Sequence, residues 1–456
     1  MSRKTSIILS ILPLVFLTLI VFHFSLDLPY WDQWEFVPLL QKSYQGTLSF
    51  NDFWVPHNEH RPIFPRLIML GLARMTNWNI RWELTLNILL AIGIYTVIMK
   101  SIILLAGDAS KKSSRGEAML FEHAHGLESR FDRDEFGKCA KKSWPTSAAA
   151  AVCTSALIIF SLTQWENWVW GWQIQIFLNV FAVCLGFYFL IKSKDNRINF
   201  IVSIICGIVA TFSFANGLLF WPIGFILARS HLARLIWLLV TIIVYAIYLP
   251  GLPTQFDVFG IINNLLLYLS YVTAYLGAPV FGLQPAVASI FGIIGLLIFI
   301  LSFRAAVEKS SEAQDIFFLS LGLYAILSAF FTGLGRYNLG GLQAISSRYI
   351  TFGNLFWLSN IIFLYTAVMG DARRGVPNQS GSPLWVILGL PRGRTHGKII
   401  ILLIVFLITT TSLYRIKTIS KRYNDLMSYP RDFKQLYYNE GVVKERMKFL
   451  HEKFNK

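Results

Sequence analysis

The chain is dominated by apolar runs close to twenty residues long, the first of which covers Ser6 to Leu26. A helix needs roughly 20 apolar residues to cross a bilayer core, and it satisfies its own backbone hydrogen bonds there. The runs are continuous and do not alternate as the strands of a membrane barrel would. Because 55% of the 456 residues are hydrophobic and only 14% are charged, the sequence predicts an all-α polytopic membrane protein.

About eleven spans are predicted, at residues 6–26, 83–106, 147–163, 173–191, 198–214, 217–229, 233–250, 285–303, 315–334, 350–369 and 398–415. The first span follows the basic "MSRK" and lacks a small-residue cleavage site, so we expect an uncleaved signal anchor. Together the spans form one transmembrane domain over residues 1–415, with a long first outer loop.

Lysine and arginine concentrate in the connections at residues 111–142, 192–197, 229–234, 304–309 and 373–398. Such residues accumulate on the cytoplasmic side of polytopic proteins, so we place these connections and the N-terminus in the cytoplasm. The protein is then a multi-pass protein of the inner (cytoplasmic) membrane. This threading requires that residues 261–282 do not fully cross; if they cross, everything after them inverts.

The same threading defines three segments outside the spans. A first extracytoplasmic loop covers 27–82, a cytoplasmic connector covers 107–145, and a short extracytoplasmic tail with an amphipathic helix covers 416–456. The positive-inside bias also accounts for the net charge of +16, so we expect membrane lipids as partners and no nucleic acid. None of the four cysteines forms a CxxC pair, so no zinc site is indicated.

The first outer loop opens with an acidic pair in "YWDQWE". Asp32 and Glu35 are three residues apart and would share one face of a helix. Such a pair could take a proton from an acceptor hydroxyl or, together with His57, hold a divalent cation. The alternative is an interfacial aromatic belt formed by Trp31, Trp34 and other tryptophans, with solvated carboxylates beside it.

The same loop continues with "HNEHR", which supplies His57, Glu59, His60 and Arg61. The two histidines could ligate a metal, although the spacing is not that of HExxH; the alternative is hydrogen-bonded loop histidines. Arg61 and the later Arg66 present planar guanidinium groups that suit a phosphate or pyrophosphate. Ordinary contact with lipid headgroups is the alternative for each arginine.

Two later outer segments add candidate ligand-binding residues. In "GLGRYNLGGLQAISSRYITFG", Arg336 and Arg348 bracket a glycine-rich turn whose backbone N–H groups could form an anion nest, with Tyr349 beside them. In "QWENWVWGWQIQ", Glu166 stands among four tryptophans. That cluster could stack on a sugar, and an interfacial anchor is the alternative.

The motifs "YWDQWE", "HNEHRP", "WENWVWGWQIQ", "FANGLLFWP" and "SRYITFG" together resemble a bacterial group within the GT-C superfamily of membrane glycosyltransferases. The resemblance implies a GT-C-like helical bundle and a polyprenyl-phosphate sugar as the donor. It also implies that Asp32 is the catalytic base, with Glu35 as the second acidic residue. By location, Arg336 and Arg348 are candidates for contacts with the donor phosphate. The acidic residues here are spaced D-x-x-E, neither adjacent nor D-x-D.

The expected function is therefore transfer of a sugar from a lipid-linked donor to a glycan, lipid or protein acceptor on the extracytoplasmic side. This chemistry requires no cofactor, and a divalent cation held by Asp32, Glu35 and His57 is the one candidate. The competing class is a transporter, flippase or polymerase of lipid-linked saccharides. Because the span interiors are almost free of charged residues, surface chemistry is favoured over translocation. A transferase site requires that Asp32, His57, Glu59, Arg336 and Arg348 converge on one cavity.

Overall fold

The computed structural model describes residues 3–124, 146–253, 258–308, 313–373 and 394–427. Within these ranges the chain is all-helical and forms no β-strand. Its α-helices, α1 to α18 in chain order, are Arg3–His23, Val37–Gln45, Phe50–Trp54, Ile63–Thr76, Ile80–Ala124, Thr146–Ile159, Trp165–Val169, Ile174–Ile191, Arg197–Thr211, Phe220–Leu227, His231–Tyr248, Val258–Asn263, Leu265–Phe281, Pro285–Glu308, Ala313–Arg336, Gly341–Ala344, Ile350–Arg373 and Arg394–Met427. Short 3₁₀ helices lie at Trp31–Phe36, Leu162–Gln164, Gly171–Gln173, Lys192–Asp195, Ala215–Leu219, Tyr337–Leu339 and Ser347–Tyr349.

Eight helices of the described chain are long and apolar enough to cross a membrane. They cover Lys4–His23, Ile80–Leu104, Ala148–Val169, Gly171–Ile191, His231–Tyr248, Pro285–Ala306, Asp315–Leu339 and Lys398–Asp425. Three shorter apolar helices lie at Arg197–Thr211, Ala215–Leu227 and Leu265–Phe281. The all-helical fold is thus confirmed, and these helices indicate a multi-pass membrane protein, whereas the count of about eleven spans and the path of residues 261–282 stay predictions.

Two helices continue beyond the predicted spans. The helix α5 runs to Ala124, well into the segment that the sequence predicts as a connector, and α18 runs to Met427, past the predicted start of the tail. Hydropathy marks the end of an apolar run. A helix can continue past that end, because its backbone hydrogen bonds form within the helix and many polar residues are good helix formers. The rest of the connector and the tail's amphipathic helix lie outside the described residues.

The segment between α1 and α5 (the first outer segment, named after its predicted location) packs around a small core of its own. Trp34, Val37, Leu40, Phe53 and Met69 are among its buried members. Trp170, Trp172 and Ile174, from the middle of the chain, complete this core. The segment is therefore pinned to the start of α8 by buried aromatic surface, which contributes most to such contacts.

This packing overturns the aromatic-belt interpretation for several tryptophans. Trp34, Trp168, Trp170 and Trp172 are each exposed by 3% or less. An interfacial anchor keeps its ring at the headgroup level, outside the protein, whereas these rings are inside it. Sequence cannot separate the two cases because both place tryptophan at the end of an apolar run.

The helices α13 and α14 form the tightest antiparallel pair near the site. A Cβ at Gly277 would lie 1.8 Å from the carbonyl oxygen of Ala288, and a Cβ at Gly292 would lie 1.9 Å from that of Thr273. Only glycine permits this approach of two backbones, as in other membrane helix pairs. The pair presents Tyr275 to the ring of Tyr349, at 5.3 Å between centroids.

Candidate active site

The acidic pair lies on a 3₁₀ helix, Trp31–Phe36. A 3₁₀ helix has three residues per turn, so Asp32 and Glu35 lie directly above one another. His57 lies between their carboxylates: its Nδ1 is 3.0 Å from Glu35 Oε2, and its Nε2 is 3.6 Å from Asp32 Oδ2. The predicted shared face is therefore present, and it is occupied by an imidazole.

The protonation of His57 follows from this environment. The ring is 6% exposed, and burial disfavours the charged imidazolium, but the hydrogen bonds and negative charges of Asp32 and Glu35 outweigh that effect and raise the pKa of His57 to about 9. At neutral pH the imidazole is therefore protonated and lies between the two carboxyl groups.

The "HNEH" turn delivers two side chains in different directions. Its ends pair as an isolated antiparallel bridge, with His57 N–H to His60 O at 2.8 Å and His60 N–H to His57 O at 3.0 Å. Asn58 takes the left-handed conformation at φ 51°, which asparagine tolerates better than most residues. Burial lowers the pKa of His60 to about 3, so this second imidazole is neutral.

Glu59, on the same turn, reaches the late part of the chain. Its Oε2 accepts from Arg336 Nη2 at 2.9 Å, and Arg336 Nη1 donates to Tyr349 Oη at 2.9 Å. Burial acts to raise the pKa of Glu59, but the charge of Arg336 prevails and holds it below its usual value. Arg336 therefore joins the first loop, through Glu59, to the "SRY" segment, through Tyr349.

Arg348 occupies a different environment from Arg336. Its guanidinium carbon lies 5.5 Å from the ring centroid of Trp31 and 5.9 Å from that of Trp170, and these two rings stack at 5.9 Å. Trp31 adopts φ 47°, an unusual conformation for an aromatic residue and one often found at functional sites. Within the described residues, no carboxylate lies within 4.0 Å of the Arg348 guanidinium, which leaves this cation available to an anion.

One cavity of about 340 Å³ brings these groups together. The predicted site residues that line it are Asp32, His57, Glu59, His60, Arg336, Arg348 and Tyr349. The convergence that a transferase site requires is present, and it includes residues more than 300 positions apart in the chain. Glu35 does not line the cavity, but its carboxyl group contacts Nδ1 of His57, which does.

Arg61 does not line the cavity. Its side chain is engaged by backbone carbonyls, with Nε donating to Tyr248 O at 2.8 Å, Nη1 to Trp54 O at 2.7 Å, and Nη2 to Pro250 O. The residue is only 3% exposed. Its role is to fasten the first loop to the end of α11.

Arg66 and Glu166 also point elsewhere. Arg66 donates to the carbonyl oxygens of Phe53, at 3.0 Å, and Val55, and burial lowers the pKa of its guanidinium to about 10. Glu166 accepts a hydrogen bond from the hydroxyl of Ser347, which holds the "SSRY" turn in place. Neither residue lines the cavity, so both support its walls.

The candidate metal ligands do not form a metal site. In the described part of the chain, no group of three or more His, Cys, Asp or Glu side chains is placed to hold a metal ion. Both nitrogens of His57 face carboxylates, so the imidazole supplies the positive charge that a cation would bring. The donor set does not fit a divalent ion.

A buried carboxyl group that was not predicted from the sequence supports the acidic pair. Glu83, 1% exposed at the start of α5, accepts from Gln33 Nε2 at 2.7 Å and from Trp78 Nε1 at 3.1 Å. A Cβ at Gly171 would lie 1.9 Å from Glu83 Oε2, so only glycine fits there. Because Gln33 adjoins Asp32, Glu83 fixes the 3₁₀ helix. Its position as the first residue of the predicted span 83–106 was the available signal.

The sequence analysis also missed the neutral polar residues of the cavity. Gln173, Gln175 and Asn216 line it, together with Trp170. Their amides lie inside or next to apolar runs, where hydropathy gives them no distinguishing mark. Comparison of the chain with protein-family models, curated proteins and solved structures finds no match.

Proposed function

We propose that this protein is a membrane glycosyltransferase that moves a sugar from a polyprenyl-phosphate donor to an acceptor on the extracytoplasmic side. The observation that carries the proposal is the lining of the cavity. It combines the charged side chains of Asp32, Arg336 and Arg348 with the apolar side chains of Leu218, Leu219, Leu249 and Leu252. A donor with a charged headgroup and a long apolar tail matches this combination.

The mouth of the cavity supports a lipid-linked substrate. Leu249 lines the cavity and is 45% exposed, so the wall continues onto the outer surface of the bundle there. It directly follows α11, a membrane-length helix, whose flank exposes Leu235 by 55% and Ile242 by 56%. In a bilayer these side chains face acyl chains. A prenyl tail can then lie along α11 while its headgroup occupies the cavity.

The charged side chains supply the chemistry of transfer. Arg348, with Arg336 beside it, binds the donor phosphate through charge-assisted hydrogen bonds. Asp32 takes the proton of the acceptor hydroxyl as its oxygen attacks the anomeric carbon. The bond from that carbon to the phosphate oxygen breaks, and prenyl phosphate leaves as an anion that the arginines stabilise. Attack opposite to the leaving group inverts the anomeric centre.

Glu35 and His57 position the base. Glu35 holds His57 Nδ1–H, and the opposite ring nitrogen faces Asp32, so the imidazolium holds both carboxyl groups in place. This assigns Glu35 a role through His57, not by contact with the substrate.

Asp32→Asn tests the proposal. We expect it to abolish transfer from a single-sugar polyprenyl phosphate to membrane acceptors, measured with radiolabelled donor in proteoliposomes, while expression stays normal. Asp52→Asn is the matched control, because Asp52 lies in the same loop but pairs with the exposed Lys42 and does not line the cavity. Wild-type turnover by Asp32→Asn would remove Asp32 from the base role.

The same assay separates the transferase from the competing classes. A polymerase requires a diphosphate-linked oligosaccharide, and a flippase moves its substrate without breaking the sugar–phosphate bond. Release of prenyl phosphate from the single-sugar donor is the expected result. Lipid-linked sugar that crosses the bilayer intact would instead support translocation.

A further inference from the structure

Part of the cavity wall is formed by polar side chains with buried atoms that lack a hydrogen-bond partner in the described chain. Buried nitrogen or oxygen atoms of five side chains lining it have no hydrogen-bond partner in the described chain: His60 Nδ1, Trp170 Nε1, Gln173 Oε1, Gln175 Oε1 and Asn216 Nδ2. Trp170, Gln173, Gln175 and Asn216 are each exposed by 5% or less. Leaving such a group unpaired costs about 1–3 kcal/mol, and most buried polar groups are paired. A set of them on one wall indicates a polar ligand.

These side chains come from three segments that lie against one another. Gln173 N–H donates to Trp170 O at 3.1 Å, and Gln175 follows in the first turn of α8. One turn further, Asn179 Nδ2 donates to Phe214 O at 3.3 Å, which brings α8 beside the 3₁₀ helix of Asn216. The ring of His60 lies 4.1 Å from that of Phe214. The segments that carry the unpaired groups (the patch) therefore lie against one another, and all of these groups belong to side chains that line the cavity.

The chemistry of the patch is neutral and two-sided. Each amide offers a donor and an acceptor whichever way it is turned, and the indole offers a donor. A sugar hydroxyl also donates and accepts, so a ring with several hydroxyls can satisfy the patch. A carboxylate would meet amide oxygens and the nearby anions Asp32 and Glu59, while the two arginines are occupied by phosphate. Like charges within one cavity disfavour binding.

We propose that Trp170, Gln173, Gln175 and Asn216 form the subsite for the transferred sugar, and that this sugar is an uncharged monosaccharide and not a uronic acid. The proposal rests on the function given above, because it takes the donor to be a prenyl-linked sugar. It adds the class of sugar and the residues that bind it.

The test compares affinities for three kinds of probe, with full-length protein in lipid nanodiscs. The first is a short-chain prenyl phosphate that carries glucose, galactose, mannose or rhamnose; the second carries glucuronic acid; the third carries no sugar. We expect at least one neutral sugar to increase affinity over the sugar-free probe, and glucuronic acid to give no increase. No gain from any of the four neutral sugars, or an equal gain from glucuronic acid, would overturn the proposal.

Variants assign the gain to the patch. Asn216→Ala and Gln175→Ala should each reduce the neutral-sugar gain by about threefold to tenfold, the value of one hydrogen bond, without weakening the sugar-free probe. Asn216→Asp keeps the shape, adds a charge and should abolish the gain. Gln45→Ala, at an exposed residue that ends α2, is the matched control. Equal loss for all probes, including the sugar-free one, would show a structural role only and contradict the subsite.

The binding readout keeps this inference separable from the catalytic proposal. Asp32→Asn should bind the neutral-sugar probe as the wild type does. A neutral-sugar gain without any transfer would sustain the subsite and refute the transferase. Transfer from the glucuronic acid donor but from none of the neutral donors would support the transferase and refute the subsite.

Discussion

His57 offers the most quantitative test of the site, because its two carboxylate partners predict both the size and the pH dependence of its effect. The pKa of this imidazole is raised from 6.5 to about 9. Each unit of pKa difference between folded and unfolded states is worth about 1.4 kcal/mol, so the protonated ring stabilises the fold by about 3 kcal/mol. Because the folded-state pKa is the higher one, this stabilisation is complete below pH 6.5 and is lost as the pH rises through 9.

The variant His57→Gln removes the charge and keeps a polar side chain of similar reach. The loss of about 3 kcal/mol converts into a melting-temperature shift through the entropy of unfolding, about 2 cal/mol/K per residue. Over 456 residues the expected decrease is about 3 °C at pH 6, shrinking towards zero by pH 10. Thermal denaturation in nanodiscs, followed from pH 6 to 10, measures the difference between variant and wild type.

His23→Gln is the control for a histidine outside the site, since His23 is exposed at the end of α1. It should leave the pH profile unchanged. A decrease for His57→Gln that is independent of pH, or that grows above pH 9, would refute the assignment of His57 as the cation between Asp32 and Glu35.

Two further substitutions probe the phosphate contact and the support of the acidic pair. Arg348→Gln should raise the KM for the prenyl-phosphate donor by about tenfold or more, since a hydrogen bond to a charged group is worth about 1.5–3 kcal/mol, and an unchanged KM would place the phosphate elsewhere. Glu83→Ala leaves Gln33 and the Trp78 indole without their buried acceptor, so we expect a loss of about 2–4 kcal/mol in unfolding free energy and a reduced kcat. Glu83→Gln, which keeps one acceptor, should recover part of both, and full stability of Glu83→Ala would argue against its positioning role.

The fold was predictable where a physical signal is carried by a run of residues. The apolar runs predict the long helices because crossing a bilayer requires both length and hydropathy. The ends of α5 and α18 were missed because nothing in hydropathy stops a helix that continues into water. The number of spans stays a prediction, since the shorter apolar helices meet the composition but not the length of a full crossing.

The candidate site was predictable where rare charged residues stand at the ends of apolar runs. Asp32, His57, Glu59, Arg336 and Arg348 could be chosen this way, and they line one cavity. The same rule also selected Arg61 and Arg66, which do not line the cavity, because a sequence does not show which carbonyls a guanidinium reaches. It also passed over Glu83, Gln173 and Asn216, whose importance depends on what packs beside them.

The ion pair between Glu59 and Arg336 has a consequence for how the protein is made. The two residues are 277 positions apart, and at a synthesis rate of about 5–20 residues per second Glu59 precedes its partner by roughly 15 to 55 s. Trp170 and Trp172, which complete the core of the first outer segment, also arrive late. The first outer segment therefore stays incomplete while most of the helical bundle is synthesised. A biogenesis factor that shields this segment would therefore have to act in the interval between the synthesis of Glu59 and that of Arg336.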